Sequence, residues 1–571
     1  MHHTLRPLRT LLVALAVLAG PTSIQSAAAQ SQETVRSTDG VVSSQQWIAS
    51  EVGADVLDAG GNAVDAAIAT GFALAVTHPS AGNIGGGGFM VIRFPNGRTT
   101  AIDFREKAPL AAHPEMWLDE NGEYASDVHH DSHLAVGVPG TVAGFDKAHR
   151  LYGSADWEEL VDPAVGLARD GFELSETLAR SLASFVSRTP YPATVAAFSK
   201  AGTPYAAGET MRQPDLAATL SRIRDERRNG FYAGETARLL VAEMRQGGGI
   251  ITEEDLGLYD ARERAPVTGT YRGYDVISMP PPSSGGVAVV TMLNILEAYD
   301  LRAMGHNSAD YIHHLAETMR RAYRDRAVYL ADADAVDVPV QQLTSKEHAA
   351  WLRRDIHGDR ASVSHPADVD TGYESPETTH YSVVDADGMA VSVTYTLEQG
   401  YGSEIVVPGA GFLLNNEMGD FNAAPGMTTA GGLIGTDPNL ARPGQRMLSS
   451  MTPSIVAKDG DLVAVIGSPG GRTIINTTLQ LILNLVDFKM GIQEAVDAPR
   501  IHHQWLPDRI RIEEGGATPE AVRRLEEMGH TVQMGGRQGS ANSVGIDPST
   551  GERVGAPDPR STDAGARAGG G

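Results

Sequence analysis

A change in hydrophobic period near residue 378 constrains the fold more than any other feature of this sequence. Residues 359–377 hold Ser, Asp, His, Pro and Thr without a regular spacing of apolar residues, which is typical of an exposed loop. Apolar and polar residues then alternate through 381–384 and again through 391–396, on either side of the turn residues 385–388. Alternation with a period of two around a turn predicts a β-hairpin that starts where the loop ends.

Helical and strand patterns alternate along the rest of the chain. Residues 45–76 have a helical period interrupted by Gly60-Gly61-Asn62, and Asn62 is a suitable cap for the second helix. Residues 140–360 are mostly helical in pattern, and the last dozen residues, rich in Gly and Ala, predict a loose tail. Further hairpins are predicted at 89–104 and 454–466, with helices following at 473–486 and 492–498. This order of strands and helices predicts an α+β sandwich of sheets covered by helices.

Composition excludes several classes of function. The 571 residues carry a formal net charge of −25, and such a surface repels the phosphate backbone of nucleic acids. The chain has no cysteine, which excludes disulfides, a thiolate zinc site and a cysteine nucleophile.

The N-terminus has the pattern of a secretory signal. Arg6 and Arg9 precede an apolar run at 11–19, and small residues follow at 27–29. The alternative is a membrane anchor, but the run is too short for about 30 Å of hydrocarbon. We therefore expect a signal peptide at 1–29 and a periplasmic or secreted protein without a membrane anchor.

Several motifs that could form functional sites have simpler structural explanations. His129, His130 and His133 have the composition of metal ligands, but their spacing favours an exposed polar loop. His502 and His503 are adjacent on a predicted strand, so their side chains should point to opposite faces. The glycines at 85–88 precede a strand and lack the Lys-Ser/Thr of a phosphate-binding loop, which favours close backbone packing. The sequence has no Gly-x-Ser-x-Gly elbow.

Thr378, at the start of the predicted hairpin, remains as a candidate nucleophile. Cleavage of the Glu377–Thr378 bond would give this residue a free α-amine, whose pKa of about 7.7–8.0 suits it to accept the hydroxyl proton. One residue would then supply both nucleophile and base. The pattern alone leaves open that Thr378 merely begins a strand.

Several ordered motifs make the chain resemble the γ-glutamyltransferases. The segments at 378–384 and 391–398, with Gly402, resemble the start of that family's small subunit. The other matching segments, from both subunits, are Gly60–Ala67, Gly85–Phe89, Asp103–Pro109, Val138–Thr141, Asn415–Phe421, Leu448–Met451 and Gly467–Gly471.

This resemblance implies a four-layer α-β-β-α fold of the N-terminal-nucleophile hydrolases. It also implies that Thr378 attacks the carbonyl of Glu377 and divides the precursor into a large subunit, 30–377, and a small catalytic subunit, 378–571, of 571 − 377 = 194 residues. The two fragments are expected to stay together as a heterodimer. The implied substrates are γ-glutamyl compounds such as glutathione, with water or the amines of amino acids and dipeptides as acceptors.

The resemblance also assigns roles to individual residues. Thr378 is the implied nucleophile, Thr396 its hydrogen-bond partner, and Gly470 and Gly471 the oxyanion donors. Arg105, Ser449 and Ser450 are expected to bind the α-carboxylate of the γ-glutamyl group, and Glu398, Glu417 and Asp420 its α-ammonium. Neither a metal nor an organic cofactor is expected, because the chain itself supplies the base and the oxyanion donors.

Two departures from the family pattern, and two rival functions, remain open at this stage. Glu398 stands where many members have Asn, and Gly431 stands in the segment 425–435 where members with a lid over the pocket carry Tyr. The nearest rival is an acylase of the same fold that acts on glutaryl or cephalosporin side chains. An exported binding protein with an inactive site is the rival from another class.

Overall fold

The computed structural model describes residues 33–365, 378–427, 429–431, 433 and 435–570. The predicted signal peptide at 1–29 and residues 366–377, including Glu377, lie outside the described residues. Among the helices in the described part of the chain, none is both long and apolar enough to cross a bilayer.

The strands fall into two large and two small sheets. In chain order they are β1 Val35–Ser37, β2 Gly40–Ser44, β3 Gly87–Arg93, β4 Thr99–Phe104, β5 Phe172–Glu173, β6 Thr210–Met211, β7 Arg262–Arg264, β8 Val267–Tyr271, β9 Tyr274–Ser278, β10 Thr379–Asp385, β11 Ala390–Thr396, β12 Ser454–Lys458, β13 Asp461–Ile466, β14 Ile501–His502, β15 Ile510–Ile512, β16 Val532–Met534, β17 Ser543–Ile546, β18 Arg553–Ala556 and β19 Gly565–Ala568.

Helices surround the two large sheets. They are α1 Trp47–Asp58, α2 Ala63–Thr77, α3 Ser126–Asp131, α4 Thr141–Tyr152, α5 Trp157–Asp170, α6 Glu176–Arg188, α7 Pro192–Phe198, α8 Pro214–Glu226, α9 Asn229–Tyr232, α10 Gly234–Gly247, α11 Glu253–Leu258, α12 Gly285–Leu296, α13 Leu301–Met304, α14 Ala309–Tyr329, α15 Val340–Leu343, α16 Lys346–Arg353, α17 Thr473–Val486, α18 Ile492–Asp497 and α19 Pro519–Glu527.

The two large sheets form the middle layers of a sandwich. The first has the strand order β19-β2-β10-β11-β3-β4-β7, and the second has the order β1-β18-β17-β13-β12-β9-β8. Apolar side chains from both sheets, including Phe89, Val91, Ile455 and Val465, form one buried cluster between them. Helices α1, α2 and α4 pack on the first sheet, and α12 and α18 pack on the second. The predicted four-layer α-β-β-α fold is confirmed.

The helix α2 anchors the hairpin formed by β10 and β11. Asn62 caps it in a capping box with Asp65, as the sequence predicts, and every residue of the helix is buried. The hydroxyl of Tyr381 on β10 donates to the carbonyl of Ala67, and that of Tyr395 on β11 donates to Gly71, both at 2.9 Å. These bonds tie both strands of the hairpin to a helix with no exposed face.

Most elements follow the predictions, but two parts of the chain do not. The hairpins at 89–104 and 454–466 and the helices after them are confirmed. The mostly helical region also contains β7, β8 and β9, which extend the edges of both large sheets. The prediction of a loose C-terminal tail is wrong, because β19 pairs with β2 at the edge of the first sheet. Its short run of Gly, Ala and Arg has little intrinsic strand preference, so pairing with β2 decides its structure.

Candidate active site

Thr378 lies at the entry to the β10–β11 hairpin. The register pairs Thr379 with Tyr395, so Thr378 and Thr396 face each other at the end of the ladder. The Thr378 Oγ1 atom lies 3.4 Å from Thr396 Oγ1, and Thr396 Oγ1 in turn accepts the backbone N–H of Glu398 at 2.9 Å. Thr378 is buried, with 6% of its surface exposed. The strand β10 therefore holds a threonine hydroxyl at the start of the hairpin.

A buried guanidinium surrounded by carboxyl groups forms the second part of the site. Arg105 follows β4 directly and donates to Glu417 and to Asp420, and a third carboxyl, that of Glu106, lies 3.5 Å away. Its Nη2 and Nε also donate to the backbone carbonyls of Leu448 at 3.1 Å and Met447 at 3.3 Å. These bonds fix the plane of the guanidinium.

Burial dominates the electrostatics of this cluster. It raises the pKa of Glu417 to about 8 and that of Glu106 to about 7, although the charge of Arg105 acts in the opposite direction on both. Burial also opposes the charge on Arg105, but the carboxylates of Glu417, Asp420 and Glu106 outweigh it and raise the pKa of the guanidinium. The site therefore concentrates more acidic groups than one arginine balances.

Two consecutive serines, Ser449 and Ser450, follow Leu448, whose carbonyl accepts from Arg105, in the segment before β12. Ser449 Oγ accepts the N–H of Met451 at 3.1 Å, while its carbonyl accepts both the N–H and the hydroxyl of Ser284. Ser450 Oγ accepts from Arg326 Nη2 at 3.1 Å, and Arg326 Nε donates to Ser284 Oγ at 2.8 Å. The buried arginine and Ser284 thus position both serines.

Gly470 and Gly471 form the turn between β13 and α17. Their φ values are 129° and 55°, a region that residues with a Cβ rarely adopt. A Cβ on Gly470 would lie 2.4 Å from Thr473 Oγ1, a hydroxyl that donates to the Gly470 carbonyl at 2.8 Å. Glycine is therefore required here by both conformation and space.

Nearly all of the predicted site residues line one small cavity of about 20 Å³. It is bounded by Thr378, Thr396, Arg105, Glu398, Glu417, Asp420, Ser449, Ser450 and Gly471, together with Met451 and Ile474. Gly470 instead lines a neighbouring cavity of about 850 Å³, which Thr378 also borders. Thr378 therefore stands between a small, acidic cavity and a large one.

Comparisons with known proteins identify the family of the chain. The model of the gamma-glutamyltranspeptidase family matches residues 49–568. The chain belongs to the γ-glutamyltranspeptidase family. The glutathione hydrolase proenzyme of Escherichia coli strain K12 is 48% identical over 535 residues, covering 93% of this chain and 92% of that protein.

Further relatives extend the comparison to other members and to solved structures. The glutathione hydrolase proenzyme of Pseudomonas sp. strain A14 is 47% identical, covering 88% of each chain. The crystal structure of a cephalosporin acylase from Bacillus halodurans superposes with a TM-score of 0.83 at 26% identity, covering 98% of this chain and all of that one. The resemblance noted in the sequence is confirmed at the level of family and fold.

The structure of this family member corrects one prediction near the site. His129, His130 and His133 do not lie in an exposed loop: the first two are in α3, the third begins a short 3₁₀ helix, and all are buried. His129 Nε2 donates to the carbonyl of Met418 at 3.0 Å, and His130 Nδ1 lies 3.9 Å from Glu398. Burial lowers the pKa of His130 to about 4. His129 and His130 support the turn that carries Glu417 and Asp420, whereas His133 Nε2 pairs with Glu243 at 3.0 Å.

The other rejected candidates have structural explanations. His502 Nδ1 pairs with Asn476 at 2.7 Å, whereas His503 Nε2 pairs with Asp508 at 3.1 Å, so the two rings have separate partners. A Cβ on Gly86 would lie 2.0 Å from the carbonyl oxygen of Thr396, which confirms that close backbone packing explains the glycine run.

Sequence reasoning missed three positioning residues: Asn83, Ser284 and Arg326. Asn83 Nδ2 donates to the carbonyl of Thr396 at 2.9 Å, while its Oδ1 accepts the N–H of Gly86 at 3.0 Å. Arg326 lies in α14, whose many charged residues would equally suit a helix exposed to solvent, so the sequence pattern did not indicate its role. For Ser284, the run Pro-Pro-Ser-Ser-Gly-Gly at 281–286, in which it lies, was the available signal.

Proposed function

We propose that this chain is a self-processing γ-glutamyltransferase that hydrolyses γ-glutamyl amides such as glutathione and transfers the γ-glutamyl group to amines. The carrying observation is Thr378 at a strand entry, in one cavity with the Arg105 cluster. The family membership of the chain, and its relatives named glutathione hydrolase proenzyme, support the same function. Export before processing, with a signal peptide at 1–29, is part of this proposal.

Maturation begins with Thr378 in the intact chain. Its hydroxyl attacks the carbonyl of Glu377 and the peptide C–N bond breaks, so the acyl group moves to Oγ1 as an ester and the α-amine of Thr378 becomes free. Water then hydrolyses the ester, which releases the carboxylate of Glu377 and restores the Thr378 hydroxyl. The proposed products are the large subunit, 30–377, and the small subunit, 378–571. Thr396 supports this step because its hydroxyl lies 3.4 Å from that of Thr378.

In the mature enzyme, Thr378 Oγ1 attacks the γ-carbonyl while its own α-amine accepts the proton. The backbone N–H groups of Gly470 and Gly471 are the proposed donors to the oxyanion, and losing one such donor costs about 10²–10³ in rate. The amine of the leaving group departs with a proton, and the acyl-enzyme then reacts with water or an acceptor amine.

Binding of the γ-glutamyl group exchanges internal ion pairs for substrate contacts. Its α-carboxylate takes the guanidinium of Arg105, assisted by the hydroxyls of Ser449 and Ser450. Its α-ammonium takes the place of that guanidinium beside Glu417 and Asp420, with Glu398 nearby. Because both charges of the substrate replace equivalent charges, the buried cluster loses no compensation on binding.

The test of this proposal is the intact mass of the purified wild type beside Thr378→Ala. We expect two fragments from the wild type, the smaller beginning at Thr378, and one uncleaved chain from the variant. Hydrolysis of glutathione should accompany only the cleaved protein. A folded wild type that stays whole would contradict the proposal and favour a binding role.

An acylase function is the second candidate, favoured by the similarity to the Bacillus halodurans cephalosporin acylase. Glutaryl side chains carry a carboxylate for Arg105 but no α-ammonium. The carboxyl groups of Glu398, Glu417 and Asp420 in the small cavity therefore favour the γ-glutamyl substrate.

A further inference from the structure

The large cavity beside Thr378 has a strongly basic wall. Its volume is about 850 Å³, and six arginines line it: Arg180, Arg472, Arg509, Arg511, Arg537 and Arg560. Among the described residues that line it, none is Asp or Glu. We call it the arginine cavity. Such a concentration of positive charge stands out in a chain whose formal net charge is −25.

Internal ion pairs neutralise only part of this charge. Arg560 contacts Glu513 at 2.6 Å and Asp558 at 3.3 Å, and Arg180 contacts Glu176 at 2.7 Å. Arg509 and Arg511 have no carboxylate within ion-pair distance among the residues that the structure describes. The arginine cavity therefore retains positive charge that a bound anion could balance.

Two groups that line the arginine cavity have pKa values affected by burial and by the charge of its arginines. The pKa of Arg511 lies below its ordinary value, first because of burial and then because of the charge on Arg509. Burial, with the charges of Arg511 and Arg472 adding to it, lowers the pKa of His502 to about 3. The charges of Arg472 and Arg511 thus act on His502, which lines the same cavity.

The position of the arginine cavity determines which part of a substrate it meets. Thr378 borders both cavities, while Arg105 and the carboxyl cluster line only the small one. A γ-glutamyl group held at Arg105 with its γ-carbonyl at Thr378 directs the other half of the donor toward the arginine cavity. The acceptor that replaces this half occupies the same space.

We propose that the arginine cavity binds the leaving group of the donor and the acceptor that replaces it. It selects leaving groups and acceptors that carry two or more carboxylates. The inference rests on the proposed function and names its substrate class. In the transfer step, the acceptor nitrogen forms a bond to the γ-carbonyl as the ester bond to Thr378 Oγ1 breaks. The proton lost by the acceptor passes through the α-amine to that oxygen.

The test compares three donors whose leaving groups carry zero, one and two carboxylates: γ-glutamylalaninamide, γ-glutamylalanine and γ-glutamylglutamate. We expect kcat/KM to rise by about threefold for each added carboxylate at low ionic strength. In 1 M NaCl, where the screening length is about 3 Å, the three values should converge.

Arg511→Gln and the double variant Arg509→Gln/Arg511→Gln test the wall directly. We expect the ratio of kcat/KM for γ-glutamylglutamate to that for γ-glutamylalaninamide to fall by about threefold in the first and further in the second. Arg302→Gln is the matched control, because Arg302 is an exposed arginine of α13 that does not line the cavity, and it should keep the wild-type ratio. This ratio of kcat/KM values does not depend on the amount of processed enzyme in each preparation.

The outcomes separate this inference from the proposed function. Equal kcat/KM for the three donors, at low and high salt, would overturn the selection of carboxylates while leaving the transferase activity intact. Cleaved protein that acts on no γ-glutamyl donor would refute the proposed function itself.

Discussion

At the scale of single residues, the guanidinium of Arg105 contacts the carboxyl groups that we propose as the binding site of the substrate's α-ammonium. It contacts both Glu417 and Asp420, so those carboxylates already hold a cation in this structure. A γ-glutamyl donor supplies an ammonium in exchange, whereas a glutaryl donor supplies none. The carboxylate of Asp420 should therefore matter only for donors with an α-ammonium.

Asp420→Ala is expected to lower kcat/KM for glutathione by about 30-fold or more, because a buried charged partner is lost. For glutaryl donors the change should stay within about threefold. Both values come from steady-state hydrolysis by matched amounts of processed protein. Asp437→Ala is the control, since the Asp437 side chain is 82% exposed and pairs with Arg442. Equal losses on both donors would mean that Asp420 acts structurally.

We expect a second buried carboxylate to affect stability in acid. Glu317 on α14 accepts from Arg321 at 2.7 Å, from Arg320 at 3.2 Å and from the N–H of Ser362 at 3.0 Å. Burial alone would raise its pKa, but the two guanidiniums and the hydrogen bonds lower it from 4.5 to about 2. A lowered pKa means stability that is present above pH 4.5 and lost as the pH falls toward 2.

Glu317→Gln should destabilise the protein by roughly 3 kcal/mol at neutral pH, and this difference should shrink as the pH approaches 2. Urea denaturation in the Thr378→Ala background, followed at several pH values, measures it on a single chain. The exposed Glu527→Gln on α19 should match its parent throughout. A difference that stays constant with pH would rule out the charge of Glu317 as the cause.

At the scale of elements, β19 completes the edge of the sheet that carries Thr378. It pairs with β2, which in turn pairs with β10, and Ser50 on α1 donates to the carbonyl of Gly565 at 2.7 Å. Removing β19 would expose the backbone of β2. It would thereby loosen the support of β10, the strand that begins directly after Thr378.

A chain that ends at Ala564 should therefore melt at a lower temperature and show a smaller self-cleaved fraction than wild type. A chain that ends at Ala568 keeps β19 and is the matched control. Thermal unfolding and gel analysis of freshly purified protein give the two quantities. Unchanged melting and cleavage in the shorter chain would mean that the C-terminal strand contributes little.

The elements predictable from sequence are those whose local patterns agree with their final contacts. Asn62 and the glycines before it marked the start of α2, and the turns at 385–388 and 458–461 marked two hairpins. The strand β7, which is Arg-Glu-Arg, and β19 have no such pattern, because pairing with a neighbouring strand determines them. Burial of the charged-looking α3 likewise depends on tertiary packing.

In the site, too, some residues could be predicted from the sequence and others depend on contacts between distant segments. Arg105 and Asp420 are 315 positions apart, and no local pattern indicates that they meet. Motifs shared with a family indicated those residues, whereas Arg326 and Asn83 act through Ser450 and Thr396 and carry no comparable signal. Contacts between distant segments are what the sequence alone leaves undetermined.

At the scale of the whole molecule, both sheets mix strands from the two sides of Thr378. In the first sheet, β10 and β11 lie between β2 and β3, and in the second, β12 and β13 lie between β9 and β17. Cleavage before Thr378 would therefore break one peptide bond and leave the backbone hydrogen bonds between neighbouring strands in place. The proposed subunits share two sheets and the cluster between them.

The processed fragments should consequently behave as one folding unit. We expect them to elute together in size-exclusion chromatography, to separate only in denaturant, and to unfold in a single thermal transition. The uncleaved Thr378→Ala chain, measured in parallel, should elute at the same volume, because the shared sheets keep the same arrangement in both forms. Two separate transitions, or release of the small fragment from native protein, would contradict this. Such a result would mean that contacts within each fragment, and not the shared sheets, provide most of the stability.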